Sequence, residues 1–272
     1  MSFFFNSHNY FFEEIAKFRA ARKIWAKIMK DRFQINDKKA LLCRFHTQTA
    51  GSSLQAQQID NNIIRTTLQA SAAILGGTQS LHTNSKDEAI SLPTEKAVQL
   101  ALRTQQIIAY ETGIPDVVDP LAGSYYVESL TKNIELEVFK LIKKIDDLGG
   151  AIQAIEKGFQ QNEIANTSFK YQQEIENQEQ IIVGVNKHET KDTIEQPELQ
   201  KIDNNAIEDQ LNRLKLFKKT RNNNNVKSAL NKLQQSLTKD TNLVPIIINC
   251  IKNNCTLGEI CQVMRDIYGE YL

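Results

Sequence analysis

Cysteine is scarce in this sequence and never paired: Cys43, Cys250, Cys255 and Cys261 form no C-x-x-C couple and no Cys/His zinc spacing. That argues against a zinc module or a dithiol redox motif and makes free thiols in a reducing cytoplasm the expectation. Charge of one sign is lacking too. Across 272 residues the formal net charge is +1, so no bulk field draws the chain to nucleic acid or to a membrane surface. No apolar run approaches the roughly 18 residues that span a bilayer. The opening "MSFFFNSHNYFFEE" has no basic n-region and soon turns acidic, so no signal peptide is expected. No G-x-S-x-G elbow occurs, which removes support for a Ser-His-Asp triad. "GGTQS" at residues 76–80 precedes or begins a strand instead of joining a strand to a helix, so it lacks the phosphate cradle. With 41% hydrophobic residues, the chain reads as soluble and globular, enough for one large domain or two modest ones.

What is present is an alternation. Short strand-like runs occupy residues 2–5, 40–46, 77–82 and 179–185, bounded by polar or glycine positions. Helical periodicity fills the gaps between the first three. Phe11, Ile15, Phe18, Trp25 and Met29 make one stripe over 11–30, with Asn9 as its expected N-cap. A second helix over 61–75 shows Ile64, Leu68, Ser71, Ala72 and Leu75 on one side. A third, over 93–111, has Ser91 as a cap, Pro93 in its first turn and Gly113 with Pro115 as its stop. Strand–helix repeated three times is the pattern of parallel βαβ units with the helices on one side. Three such units do not close a barrel, and they leave two edges and one face uncovered.

After Pro120 the pattern becomes helical: 127–148 closed by Gly149-Gly150, then 151–158 and 159–178, with "QIIVGVN" as a strand. The stretch 187–227 is hydrophilic, and "RNNNNVK" at 221–227 reads as an exposed loop between helices. Three helices are expected over 226–272.

The second strand is chemically odd. In "LLCRFHTQTAG", residues 41–51, alternation puts Arg44, His46 and Gln48 on one face and Cys43, Phe45 and Thr47 on the other. His8, His46 and His82 are expected at one rim, at equivalent strand ends where parallel α/β arrays bind ligands. Separate loops and no local pair argue against a zinc site there. In a packed barrel interior each unpaired polar group would cost about 1–3 kcal/mol. A row of them fits a channel holding water or a long polar ligand.

"FFNSHNYFFEEIAKFRAARKIWAKIM", "RFHTQTAGSSLQAQQIDNNIIRTTLQASAAILGGTQSLHTNSKDEAISLPTEKA", "LRTQQIIAYETGIPDVVDPLAGSYYVESLT", "IIVGVNK" and the closing "GEICQVMRDIYGEYL" resemble the methylmalonyl-CoA mutase family, in the C-terminal half of its large catalytic subunit. The likeness covers essentially the whole chain. It implies an α/β fold: a partial TIM (β/α)8 barrel, its last three βα units at 1–125, followed by a mainly helical extension at 126–272. In that family coenzyme A threads the barrel axis between small polar side chains, and adenosylcobalamin caps the C-terminal end. Its Co–C bond opens to give the radical that lets the carbon skeleton rearrange. By motif position, Ser2, Phe4, Arg44, His46, Gln48, Gln79 and Ser80 resemble substrate-contacting residues. Gly51, Asn84, Glu88 and Ser91 resemble those near the cobalamin or its deoxyadenosyl ribose. The family's first half-barrel and its D-x-H-x-x-G cobalamin module have no counterpart in this sequence. The resemblance therefore implies a cytoplasmic isomerase component that takes an acyl-CoA and works with an N-terminal half-barrel and a B12-binding chain, inactive and aggregation-prone by itself. The alternative is a non-catalytic remnant or assembly chain of a mutase complex.

Overall fold

The computed structural model describes residues 2–190 and 203–270. Contacts divide the chain into two compact units, Met1–Gln200 and Lys201–Leu272.

The first unit begins with the expected alternation: β1 (Phe3–Ser7), α1 (Phe11–Lys27), β2 (Phe45–Thr49), α2 (Asn61–Leu75), β3 (Ser80–His82) and α3 (Glu95–Glu111). The strands form one parallel sheet in the order β1-β2-β3. Parallel neighbours need long crossovers, and the helices supply them. Alternation along the strands gives the sheet two unlike faces. On one, Phe3, Phe5, Cys43, Phe45 and Leu81 pack against Phe18, Trp25 and Ala73. Phe18 stacks on Phe45 at 5.1 Å between ring centroids, and Phe5 meets Phe45 edge-on at 5.3 Å. Burying aromatics of this size is the main force holding the helices to the sheet. The other face carries the polar set.

Three local expectations are corrected. β2 starts at Phe45, not at residue 40, because Ala40 and Leu41 both donate their N–H to the Asp37 carbonyl in a turn. The apolar "ALL" is a turn leading into the strand, and Leu42 is 52% exposed. On α2 the buried side is the polar and small one, namely Asn62, Thr66, Gln69, Ala70, Ala72 and Ala73. Ile64 and Leu68, expected inside, are exposed. Small residues let the helix approach the sheet, while the buried amides satisfy loop backbone groups. The helix caps also shift. Tyr10, not Asn9, occupies the position before α1, and the Asn9 side chain accepts from Gln69 Nε2 at 2.6 Å. Thr94, not Ser91, caps α3 through the Ala97 N–H.

α4 (Tyr125–Asp147), α5 (Ala151–Glu156) and α6 (Phe159–Glu176) follow. Gly149 and Gly150 separate α4 from α5 at φ of 106° and 99°, backbone that favours glycine. α4 packs along α1 with ion pairs between them, Arg19 with Glu128 and both Lys23 and Lys27 with Glu135, and Arg19 also pairs with Asp119 in the segment before α4. The strand expected at 179–185 does not form. Ile182 donates its N–H to Asn186 Oδ1 at 2.8 Å, and Asn186 Nδ2 donates to the Ile175 and Gln180 carbonyls. One folded-back amide thus ties the end of α6 to the Gln180 carbonyl and the Ile182 N–H, two groups that a strand would have offered to a neighbour.

The second unit holds α7 (Asn204–Thr220), α8 (Asn223–Leu237), α9 (Val244–Lys252) and α10 (Leu257–Tyr268). The last three match the expected trio, though residues 271–272 lie outside the described ones. Leu233, Cys250, Val226, Ala229, Ile246 and Ile260 form their shared core. The asparagine run is not a loop. Asn222 accepts from the Asn224 and Asn225 N–H groups, and Asn223 opens α8. Asparagine is a strong N-cap, so the run starts a helix.

Candidate functional site

The sheet's polar face is built in layers set by strand register. Phe4, His46 and Ser80 align across the three strands, and Asn6, Gln48 and His82 align one layer on. Ser2 and Arg44 precede the paired Phe3 and Phe45, so they stand at the near end of the same face. With about 3.3 Å per residue, Arg44 to Gln48 covers about 13 Å. The face is uncovered among the described residues: Phe4 is 62% exposed, Arg44 and Ser80 are exposed, and His46 and Gln48 are half-buried.

Neighbours in the first layer are joined, and Gln48 of the second reaches the segment after β3. His46 Nδ1 and Ser80 Oγ lie 2.7 Å apart, and the Phe4 ring is 5.3 Å from the imidazole. The Gln48 and Asn84 amides meet at 3.0 Å. Asn84 is 2% exposed and its N–H donates to Thr49 Oγ1 at 2.9 Å. With its side-chain amide turned so that both ends are satisfied, the oxygen accepts from the Gly51 N–H at 3.1 Å and the nitrogen faces the Thr49 carbonyl at 3.2 Å. A Cβ on Gly51 would come within 2.9 Å of the Asn84 amide and 3.8 Å of Glu88 Oε1. Gly51, Asn84 and Glu88 are therefore brought together at the far rim, with Gln48 linking them to the layered face.

Two other expected positions turn their side chains to main chain. Gln79 uses its amide on main chain, accepting from the Phe45 N–H at 2.7 Å and donating to the Gly77 carbonyl at 2.7 Å. Ser91 donates its hydroxyl to the Leu92 carbonyl at 3.0 Å. The three histidines do not share a rim. His46 lies inside β2, one layer below His82, while His8 follows β1. The misplaced start of β2 caused that error. Burial pushes the His8 imidazole below its ordinary pKa, with Glu14 opposing.

Asn6 and His82 stand inside the layered face, opposite Gln48; His82 was expected at the rim, and alternation along the third strand already set it on the side of Ser80. Asn62 and Gln69 of α2 were missed. Their signal was two amides seven residues apart on a helix, a spacing that places them on one side. Chemically, the face offers amides, hydroxyls, two imidazoles, a guanidinium and one aromatic ring. That is a surface for hydrogen bonding and stacking along an extended polar molecule.

The methylmalonyl-CoA mutase family model matches residues 1–270. The large subunit of 2-hydroxyisobutanoyl-CoA mutase from Aquincola tertiaricarbonis is 41% identical over all of this chain and 48% of its own length. Methylmalonyl-CoA mutase from Rhizobium meliloti (strain 1021) is 41% identical over all of this chain and 38% of its own. For the human mitochondrial methylmalonyl-CoA mutase the figures are 39%, the whole chain and 36%. The chain thus spans less than half the length of these curated relatives. A match that runs nearly end to end, on a chain whose parallel strands turn a polar face outward, places it by descent: the chain belongs to the methylmalonyl-CoA mutase family.

Proposed function

We infer that this chain is part of the catalytic subunit of an adenosylcobalamin-dependent acyl-CoA mutase, an isomerase interconverting (R)-methylmalonyl-CoA and succinyl-CoA. In this reading residues 1–125 are the last three βα units of a TIM barrel, and 126–272 are a mainly helical extension of the same subunit. An N-terminal half-barrel and a B12-binding chain complete the site, in the cytoplasm. The observation that carries the reading is the layered polar face, joined from β2 to β3 by His46–Ser80 and from β2 to the segment after β3 by Gln48–Asn84. In a closed barrel that face would line the axis.

Each residue has a physical role. Arg44, exposed and without a carboxylate partner among the described residues, offers a cation to the phosphates of coenzyme A at the near end. Ser2 stands beside it. Phe4 presents a ring, and His46 with Ser80 presents paired donors and acceptors, to the middle of the molecule. Gln79 supports this layer through the β2 main chain. Gln48 sits where the acyl end would meet the cofactor.

The far rim fits a large cofactor. Gly51 leaves a backbone-only surface because a Cβ would crowd Asn84, the Asn84 amide is already held in place, and the Glu88 carboxylate is exposed beside it. Gly51, Asn84, Glu88 and Ser91 would hold adenosylcobalamin and its ribose. Bound there, the cofactor supplies the carbon-centred radical chemistry, while the chain's residues orient the substrate and exclude water.

The test is reconstitution. The chain, co-expressed with a complementing N-terminal half and a B12-binding chain, should isomerise an acyl-CoA only when adenosylcobalamin is present. A panel of methylmalonyl-CoA and 2-hydroxyisobutanoyl-CoA then decides the substrate, the second included because a similar chain carries that name. No turnover in any combination, with the assembly intact by size, would overturn the reading.

A further inference from the structure

Two fully buried amides on α2 tie the three rim segments to one another. Gln69, 1% exposed, accepts from the Ala50 N–H at 3.0 Å and donates to Asn9 Oδ1 and Ser53 Oγ, each at 2.6 Å. Its own carbonyl accepts the Ser7 hydroxyl at 2.8 Å. It therefore joins the segment after β1 to the segment after β2. Asn62, 0% exposed, accepts from the Gln55 N–H at 3.0 Å and from Arg65 Nη1 at 2.8 Å. Its nitrogen donates to the Gln55 carbonyl at 2.8 Å and the Lys86 carbonyl at 2.9 Å. It joins the segment after β2 to the segment after β3. Both amides use their donors and acceptors on rim segments or on their own helix.

The spacing makes this a device. Seven residues bring Asn62 and Gln69 to the same side of α2, two turns apart. The middle segment, 50–55, is gripped by both, and it carries Gly51. The third segment, gripped by Asn62 alone, carries Asn84 and Glu88. Asp87 stiffens that segment further: its Oδ2 accepts from the Thr94 N–H and hydroxyl, each at 2.9 Å.

We propose that Asn62 and Gln69 are positioning residues that make the rim one rigid piece, Asn62 setting Gly51 against Asn84 and Glu88 and Gln69 setting Asn9 against Ala50. The proposal rests on the reading above only in what the rim is for. A buried amide bridging two loops removes their independent motions, so the loops open together or not at all.

The first test is amide hydrogen exchange on the full chain, with no partner or ligand. Asn62→Leu, of similar volume and without hydrogen bonds, should speed exchange at Gln55 and at 86–88 by about tenfold, while Ala50 stays within about twofold. Gln69→Met should do the reverse, sparing 86–88 and speeding Ala50 by a smaller factor of about threefold, because the Ala50 N–H keeps the Ser7 carbonyl. Should Asn62→Leu fold poorly, Asn62→Asp keeps the acceptor and loses donation; it should speed exchange at 86–88 more than at Gln55. Uniform acceleration in every variant, or none, would overturn the proposal by reducing both amides to ordinary packing.

The second test uses the reconstituted assembly. Asn62→Leu should weaken adenosylcobalamin binding, read by titration of its absorbance, by about tenfold, with KM for the acyl-CoA within about twofold. If the unmodified assembly binds no adenosylcobalamin, the functional reading fails while the exchange result still decides the rigid rim. If it binds and Asn62→Leu binds equally, the positioning role fails.

Discussion

Replacing Glu259 with glutamine keeps the shape of one side chain in the second unit and removes its charge. Arg221 stands opposite, its side chain only 6% exposed against 24% for Glu259. Nη1 donates to Oε2 at 2.8 Å and Nη2 to Oε1 at 2.5 Å, and Nη1 also reaches the Asn254 carbonyl at 2.9 Å. Thr256 adds its N–H and hydroxyl to Oε2, both at 2.9 Å, in a capping box that starts α10. The Arg221 guanidinium, with Thr256 assisting and burial opposing, holds the carboxyl down to about 2. An unfolded glutamate titrates near about 4.3. At about 1.36 kcal/mol per pKa unit, the difference stabilises the fold by on the order of 3 kcal/mol, an upper value for a group that keeps some solvent screening.

The sign follows from the depressed value. The contribution is full above the unfolded pKa and fades as pH falls from about 4.3 towards 2. Glu259→Gln should therefore destabilise the second unit by about 2–3 kcal/mol at pH 7, with Arg221 left nearly buried and uncompensated. At pH 2 the gap to the unmodified chain should nearly close. Urea titrations of the full chain, followed by the amide signals of Leu233 and Ile260, measure it. A variant whose deficit stays constant from pH 7 to 2 would refute the electrostatic account.

Gly76→Ala is sterically costly although its backbone suits any residue. The new Cβ would lie 2.5 Å from Phe18 Cδ2 and 3.0 Å from the Ala72 carbonyl, against a ring with no exposure. Overpacking of about 1–3 kcal/mol is expected, visible as a lower Tm by Trp25 fluorescence; an unchanged Tm would show that Phe18 can yield. Gln48→Ala removes the amide contact to Asn84 and leaves the hydrophobic face untouched. In the reconstituted assembly it should lower kcat/KM by at least about tenfold with stability within about 0.5 kcal/mol; full activity would remove Gln48 from the site.

Much of the first unit was legible because period and punctuation agree. Phe18 and Trp25 do pack against the sheet, Ile15 and Phe11 pack with Ala72, Leu75 and Val127, and Gly113 at φ 67° does stop α3. What failed were places where a side chain replaces a backbone partner. "IIVGVN" has strand composition, yet it folds into a turn in which Asn186 Oδ1 accepts from the Ile182 N–H and the Val185 N–H donates to the Ile182 carbonyl. "RNNNN" has loop composition, yet Asn222 uses it to start a helix. α2 kept Ala72 and Leu75 of its expected stripe inside but turned Ile64 and Leu68 out, because a helix serving loops needs amides inside more than it needs those two there. The polar face itself followed from alternation in 44–48 alone, while its joining to Asn84 depended on a loop conformation that no periodicity encodes.

That face depends on register. Parallel strands that slipped by one residue would turn Phe45 and Thr47 outward and press His46 and Gln48 into the aromatic layer. The near end resists this through Gln79: its side chain accepts the Phe45 N–H at 2.7 Å, and its own N–H donates to the Phe45 carbonyl at 3.3 Å. One residue thus clasps both backbone groups of Phe45 at the start of β2. The far end resists through Ala50, whose N–H is shared between the Ser7 carbonyl at 2.8 Å and Gln69 Oε1 at 3.0 Å. With both ends of β2 fixed, His46 must face Ser80 and Gln48 must reach Asn84. A glutamine that turns its amide to main chain therefore contributes to ligand contact by fixing which residues can make it.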